Sequence, residues 1–401
     1  MITSDIEKQE QKFTIFVLTV CNAGTHTGNH QACDKAMKMR YPDFLKANGK
    51  IGFIAPSFGC ASLEPYHSRF KSALSYFESL GYSTITGPNV YLDDGIGKST
   101  DPEKCGAEIN DFFANDKSDI IISVGGGETM CEDLDFVDFD AIAAAKPKWF
   151  LGYSDNTNLT FTLPTLCDTA AVYGPCASSF GMRPLHPYLT DAFDFLCGKK
   201  LEFKNYDKWE IEGKASEEIP LATVNVTEPF ALSALYNNIF YYADAKSIPD
   251  NFKSMPIDKV KFNFSGRLLG GCLDLLTILC GTKYDKVKDF NERYADDGVI
   301  WFIESCDLNS LSILRSLWQL ENTGWFDNAK GFLIGRPLHY NEKYFGIDCR
   351  EATVRILKKH NVPIILDIDL GHLPPQMPII SGAMGEVNVV GNSISICYSM
   401  C

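Results

Sequence analysis

Two loops of this 401-residue chain carry residue types suited to acyl transfer. One follows Val124 and reads Gly125, Gly126, Gly127, Glu128; the other follows Gly152 and reads Tyr153, Ser154, Asp155, Asn156, Thr157. A run of glycines lets successive backbone N–H groups approach a bound oxygen, but it also makes an ordinary strand-to-helix turn. It is not a dinucleotide fingerprint, because Met130 stands where G-x-G-x-x-G requires its last glycine. Ser154 sits between an apolar strand and a helix start. That position suits a nucleophile on a sharp elbow and suits a helix N-cap equally well. A serine nucleophile needs a base and a group to orient the base.

Seven histidines are available for the first task. His26 and His30 are four residues apart but lack the glutamate of a zinc-peptidase helix. His67 falls in a helical pattern, His360 in a Lys-rich helix end, and His186 and His339 in loops. His372 follows the strand-like Ile364 to Leu370 and Gly371, where a side chain can enter a cleft or serve a purely structural role. Glu304 ends the apolar Val299 to Ile303 run, and a carboxylate there demands a partner; a histidine would provide one.

The elements that must position these residues alternate between strand and helix. Lys50 to Ala55, Tyr82 to Thr86, Asp119 to Val124 and Trp149 to Gly152 read as strands. Between them, Phe70, Ala73, Leu74, Phe77 and Leu80 recur at helical spacing before Gly81. Asp101-Pro102-Glu103 starts a second helix with a capping carboxylate, and Ile109, Phe112 and Phe113 continue its apolar face. Such alternation predicts a mostly parallel sheet with helices on both faces. After an irregular, polar stretch from Pro187 to Phe264, Gly266 to Gly281 opens a second apolar block. There follow strands at Val299 to Ile303, Gly331 to Ile334 and Pro363 to Ile368, a helix marked by Leu311, Leu314 and Trp318, and a hairpin from Val387 to Ile396 turning at Gly391-Asn392. The expected organisation is an extension over 1–40, an α/β domain over 41–186, a crossing segment over 187–264 and a second domain over 265–401.

Composition narrows the function. Apolar residues make up 45% and charged residues 22%, which is ordinary globular usage. A net charge of −14 argues against nucleic acid or an anionic membrane as a partner. No apolar run reaches the ~20 residues of a membrane span. Fourteen scattered cysteines without a Cys-x-x-Cys read as reduced thiols of a cytoplasmic protein. Phe13 to Cys21 is too short, and its lead too acidic, for a secretory signal, and Val20 is bulky for a lipoprotein box; the stretch reads as part of a dispensable extension.

Several short segments occur in order: Ile51 to Ser57 (IGFIAPS), Ser123 to Glu128 (SVGGGE), Phe150 to Thr157 (FLGYSDNT), Tyr173-Gly174-Pro175, Gly270 to Leu276 (GGCLDLL) with Gly281-Thr282, Ile303-Glu304, and Asp369-Leu370-Gly371-His372 with Gly382-Ala383. From about Met39 onward the chain resembles the serine peptidase family of LD-carboxypeptidases and microcin C self-immunity proteins. The resemblance implies a Ser154, Glu304, His372 triad. It also implies an N-terminal α/β domain carrying the serine and a C-terminal α/β domain with a small β-barrel-like core carrying Glu and His. The site would lie between them, in a homodimer, with no metal or cofactor. The oxyanion would then be held by the N–H of Asp155 and one from Gly126 or Gly127.

Two branches differ in substrate. The muropeptidase branch typically reads R-G-G-Y-G where this chain has Gly125-Gly126-Gly127-Glu128-Thr129, and the loop from Tyr173 to Gly181 with His186-Pro187-Tyr188 looks more like the immunity branch. The implied substrate is thus a small peptide or aminoacyl-nucleotide conjugate. A muropeptide LD-carboxypeptidase is the alternative, and a non-catalytic peptide-binding protein the alternative of another class. Cys272 stands where the family has Asn, and Ile380-Ser381 replaces a common Pro-Ile, so a substrate hydrogen bond is in question.

Overall fold

The computed structural model describes residues 38–59, 63–95, 97–249 and 252–400. The expected extension, with His26, His30 and Phe13 to Cys21, lies outside the described residues apart from its last few positions.

The first sheet is built from β1 (Lys50–Ile54), β2 (Ser83–Thr86), β3 (Ile120–Ser123), β4 (Phe150–Gly152) and β5 (Ala171–Tyr173), all parallel. Helices α1 (Tyr66–Ser79), α2 (Pro102–Ala114), α3 (Phe139–Ala144) and α4 (Thr157–Cys167) connect or flank these strands. Burial on both faces explains the unbroken apolar run of β3, whose four residues are all buried. Asp101 does precede α2, but its carboxylate does not cap the helix; it pairs instead with Lys104 at 2.8 Å.

The polar stretch after Pro187 is more regular than its composition suggests. It contains α5 (Pro187–Leu196), β6 (Glu202–Lys204), the small pair β7 (Lys208–Trp209) and β8 (Glu228–Pro229), then β9 (Ser233–Tyr236), β10 (Ile239–Tyr242) and β11 (Lys253–Pro256). Next come β12 (Lys261–Cys272), α6 (Leu273–Leu279), α7 (Val287–Arg293), β13 (Val299–Glu304), α8 (Ser310–Asn322), β14 (Ala329–Gly335), α9 (Cys349–Leu357), β15 (Ile364–Ile368), β16 (Ile379–Ser381), β17 (Met384–Val390) and β18 (Ile394–Ser399). Ten strands form one mixed sheet, in the order β11-β10-β9-β15-β14-β13-β12-β17-β18-β6, with β12 to β15 parallel at its centre. The expected hairpin is β17–β18, and Gly391 takes the left-handed turn at φ +56°.

α8 forms where expected but turns a different face inward. Ile313, Leu317 and Leu320 are buried, whereas Trp318 is 58% exposed. One connection ties the sheets together: β16, from the C-terminal part of the chain, adds antiparallel to β5 of the first sheet, pairing Ile379 with Tyr173. Both sheets therefore end close to the loops singled out above. Among the described residues no helix is long and apolar enough to cross a membrane.

Candidate active site

The serine loop begins where β4 stops. Tyr153 is extended, Ser154 adopts a left-handed φ of +61°, and a single tight turn over Ser154–Asn156 leads into α4. A non-glycine residue rarely takes that conformation, and here it lifts the side chain out of the strand direction as an elbow does. Asn156 pins the turn by donating from Nδ2 to Gly125 O at 2.8 Å and Tyr153 O at 3.0 Å. Asp155 is fully buried and faces away from the cleft, accepting hydrogen bonds from Ser57 Oγ, from Met130 N–H at 3.0 Å and from Asn158 Nδ2 at 3.1 Å. Its carboxylate thus ties the serine loop to the glycine loop. Burial pushes its pKa up to about 6 against the pull of those donors.

The glycine loop lies directly against the elbow. A Cβ on Gly126 would come 3.3 Å from Ser154 Cβ, and one on Gly127 would collide with Ser57 Oγ and the carbonyl of Gly97. A side chain is excluded at Gly127 and crowded at Gly126, which leaves backbone N–H groups as the local polar surface. Glu128, next along, lines the cleft. Burial raises its pKa, helped by Asp307 and by Asp274 in the first turn of α6.

Glu304 is the last residue of β13 and His372 sits on the loop after β15. Gly371 has φ +100°, and a Cβ there would fall 2.6 Å from Glu304 Oε2, so only glycine lets this loop reach the carboxylate. Asp369 anchors the same loop. Its carboxylate accepts from Arg336 NH2 at 2.5 Å and from Tyr206 N–H at 2.7 Å, and Arg336 stacks over the Trp209 ring. The outcome is a continuous chain: Ser154 Oγ lies 2.9 Å from His372 Nε2, and His372 Nδ1 lies 2.8 Å from Glu304 Oε2. Burial disfavours a charge on His372, yet the Glu304 carboxylate and the neighbouring Cys306 together outweigh it and hold the imidazole well above its usual 6.5. Burial likewise opposes ionisation of Glu304, and His372 reverses that, keeping the carboxyl below its ordinary range.

Three residues far apart in sequence thus meet, as do the two loops expected to serve them. The other described histidines lie elsewhere. His186 caps α5, accepting from Tyr188 N–H; His339 meets Glu342 at 2.9 Å; His360 meets Glu321 at 2.5 Å; His67 lies in α1. Cys272 is not among the cleft residues: it pairs with Glu304 across β12 and β13, and its thiol lies 3.3 Å from Asp274 Oδ2. The exchange from Asn therefore bears on the setting of Glu304 rather than on a direct substrate contact. The cleft itself has a volume of about 810 Å³, with Phe58, Tyr66, Tyr153 and Tyr188 supplying its aromatic wall.

Residues 51–174 match the LD-carboxypeptidase N-terminal domain and residues 265–387 the LD-carboxypeptidase C-terminal domain. The chain belongs to the LD-carboxypeptidase family. This family member is 24% identical to the microcin C7 self-immunity protein MccF of Escherichia coli, over 88% of this chain and 94% of that protein. It is 23% identical to a carboxypeptidase-named protein of Vibrio cholerae, over 87% and 95% of the two chains. Its fold matches the crystal structure of an MccF-like protein from Bacillus anthracis with a TM-score of 0.71 at 22% identity, covering 90% of this chain and 100% of that one. MccF in complex with glutamyl sulfamoyl guanosine matches with a TM-score of 0.70 at 20% identity, covering 89% and 98%. The enzyme is accordingly a peptidase with the mixed α/β fold its sequence implies.

One buried acid near the site carries a stability consequence. Asp133, on the turn after Met130, is 2% exposed, and burial, then Asp155, pushes its pKa up to about 8 from 3.8. A raised folded-state pKa means that its stabilising contribution is complete below pH 3.8 and lost as pH climbs through about 8. Asparagine copies the neutral acid without the charge. Thermal unfolding of Asp133→Asn is expected to show a Tm gain of roughly 3–6 °C at pH 9 and none near pH 4.

Proposed function

We propose that the enzyme is a serine hydrolase in which Ser154 attacks an amide carbonyl, His372 is the general base and Glu304 orients and stabilises the imidazolium. The observation that carries this reading is the unbroken Ser154–His372–Glu304 hydrogen-bond chain with its 2.9 and 2.8 Å links. His372 Nε2 takes the hydroxyl proton as Oγ bonds to the carbonyl carbon, then returns it to the leaving nitrogen; water deacylates the enzyme by the same route in reverse. The developing oxyanion is held by the N–H of Asp155 and one from Gly126 or Gly127, each donor worth about 3–4 kcal/mol of barrier. Such a triad argues against a non-catalytic peptide-binding role.

For substrate we favour a small peptide or aminoacyl-nucleotide conjugate. MccF has been solved with glutamyl sulfamoyl guanosine and with aspartyl sulfamoyl adenosine, and the aromatic wall of the cleft here suits a planar base. A carboxypeptidase must instead hold a terminal carboxylate. Of the cations lining the cleft among the described residues, Arg69 already donates to Pro220 O and Ala222 O, and Lys214 shares the lining with the acids Asp93, Glu128 and Glu210. The family description and the Vibrio cholerae relative favour the muropeptide LD-carboxypeptidase reading as the second. Incubation with an aminoacyl sulfamoyl adenylate and, separately, a muropeptide tetrapeptide, followed by mass analysis, decides between them. The conjugate is expected to be split at its aminoacyl linkage at least tenfold faster; faster release of a terminal D-amino acid reverses the assignment.

We also assign the protein as a cytoplasmic homodimer with the nucleophile domain over 41–186 and the Glu/His domain over 265–401. The cellular assignment is supported by the ten free cysteines among the described residues, six of them buried.

A further inference from the structure

Tyr173 is the last residue of β5, fully buried, and absent from the cleft wall. Its hydroxyl nonetheless touches two parts of the site at once. It donates to Glu304 Oε1 at 2.5 Å and accepts from the backbone N–H of Ser154 at 3.1 Å. Glu304 is thereby fully engaged, Oε1 with Tyr173 and Oε2 with His372. The hydroxyl bridges the two sheets: β5 belongs to the sheet that carries the serine, and Glu304 ends a central strand of the other.

We propose that Tyr173 is a positioning residue that fixes the Glu304 carboxylate and the Ser154 elbow to each other through a single phenolic hydroxyl. The inference rests on the triad reading above.

A phenol has one proton and can donate it once while accepting through its lone pairs. With the proton committed to Oε1, the carboxylate cannot swing and Oε2 stays aimed at His372 Nδ1. With the lone pair committed to the Ser154 N–H, the left-handed backbone of the elbow is tied to the same atom, and the neighbouring Asp155 N–H is left for the oxyanion. Burial, with Glu304 and Cys272 beside it, drives the phenol pKa far up, so the hydroxyl remains a donor across the working pH range. Two rings and a thiol pack around the group: Tyr153 packs edge-on at 6.4 Å between centroids, Phe302 at 5.5 Å, and Cys272 lies against Glu304.

The hydroxyl also tunes, through Glu304, a basicity that burial, Glu304 and Cys306 set at His372, with Glu128 facing the ring from the glycine loop. A donor on Oε1 drains charge from the carboxylate and weakens its hold on the imidazolium. Removing that donor strengthens the hold, raises the His372 pKa and moves the acid limb of the rate to higher pH. A more acidic phenol does the reverse. A tyrosine that served packing alone would change neither limb.

The test is the pH dependence of labelling by a fluorophosphonate probe in four proteins: the parent, Ser154→Ala, Tyr173→Phe, and the protein carrying 3-fluorotyrosine at 173. Tyr173→Phe is expected to label about 10- to 100-fold more slowly, as for loss of a hydrogen bond to a charged group, with its acid limb displaced upward. The fluorinated protein is expected to keep the parent's maximal rate with its limb displaced downward. If Tyr173→Phe does not fold, the direction of the fluorotyrosine shift decides alone. Parental rates and limbs in both, or slower labelling with unmoved limbs, overturn the role of Tyr173. Labelling of Ser154→Ala at the parent's rate, by contrast, overturns the triad itself.

Discussion

Ser154→Ala is expected to reduce hydrolysis by at least about 10⁴-fold while leaving the protein folded. The side chain is small, lines the cleft and is only partly buried, so little packing is lost with it. Alanine meets the same backbone demand at φ +61° that serine does, and Tyr173 still holds the N–H. Its Tm should therefore stay within about 1 °C of the parent, a shift worth less than about 1 kcal/mol at this chain length. What remains of activity comes from binding and the oxyanion donors, and removing His372 as well should cost almost nothing further, because the two act as one unit. Steady-state kinetics of the single and double variants, with thermal unfolding alongside, check both statements.

Glu304→Gln is expected to cost about 10³–10⁴-fold in kcat and to move the pH profile. An amide in that pocket has two orientations, and both harm the site. With its NH2 toward His372, the ring must carry its proton on Nε2, where it cannot receive one from Ser154. With its carbonyl toward His372, its NH2 faces Tyr173, whose own proton loses its acceptor. In the parent, general-base action needs neutral His372, and Glu304 and Cys306 together hold the imidazole pKa well above 6.5. The kcat/KM of the parent should thus rise with pH through a limb above 6.5, the proton leaving His372 as pH passes it. Without the carboxylate, burial favours the neutral ring and Cys306 alone opposes it, so the residual activity of the variant should have its limb well below the parent's. A variant profile superimposable on the parent's would show that Glu304 is not the partner of the general base.

The sequence exposed the site more fully than the fold around it, for physical reasons. Apolar strands buried on both faces, such as β3 and β13, leave continuous runs, and the first polar residue past each end is conspicuous: Ser154 after β4, Glu304 at the end of β13. The outlying strands lack that signature. β10 and β11 lie at one edge of the ten-stranded sheet, where half-exposed Tyr241 and Tyr242 and exposed Lys253 and Ser254 blur any period. The turn between β9 and β10 was nevertheless written in Asn237-Asn238, both at positive φ, a pair of the kind that closes hairpins. Pro187 at the first helical position was equally a mark of α5. Trp318 misled because a large aromatic ring suggests burial, while Ile313, Leu317 and Leu320 on the adjacent stripe are the residues that pack. Two support roles had no sequence signal beyond motif membership. Asp155 turns its carboxylate inward to Ser57 and Met130, and Tyr173 reaches across to Glu304; both depend on the meeting of loops distant in the chain.

The shared work of three residues from separate loops is tested most directly by intact-protein mass spectrometry after fluorophosphonate treatment, with peptide mapping of the adduct. A single adduct on Ser154, lost in Ser154→Ala and formed orders of magnitude more slowly in His372→Ala, is the predicted result. An adduct on another residue, or labelling of Ser154 at the parental rate without the imidazole, would contradict the account.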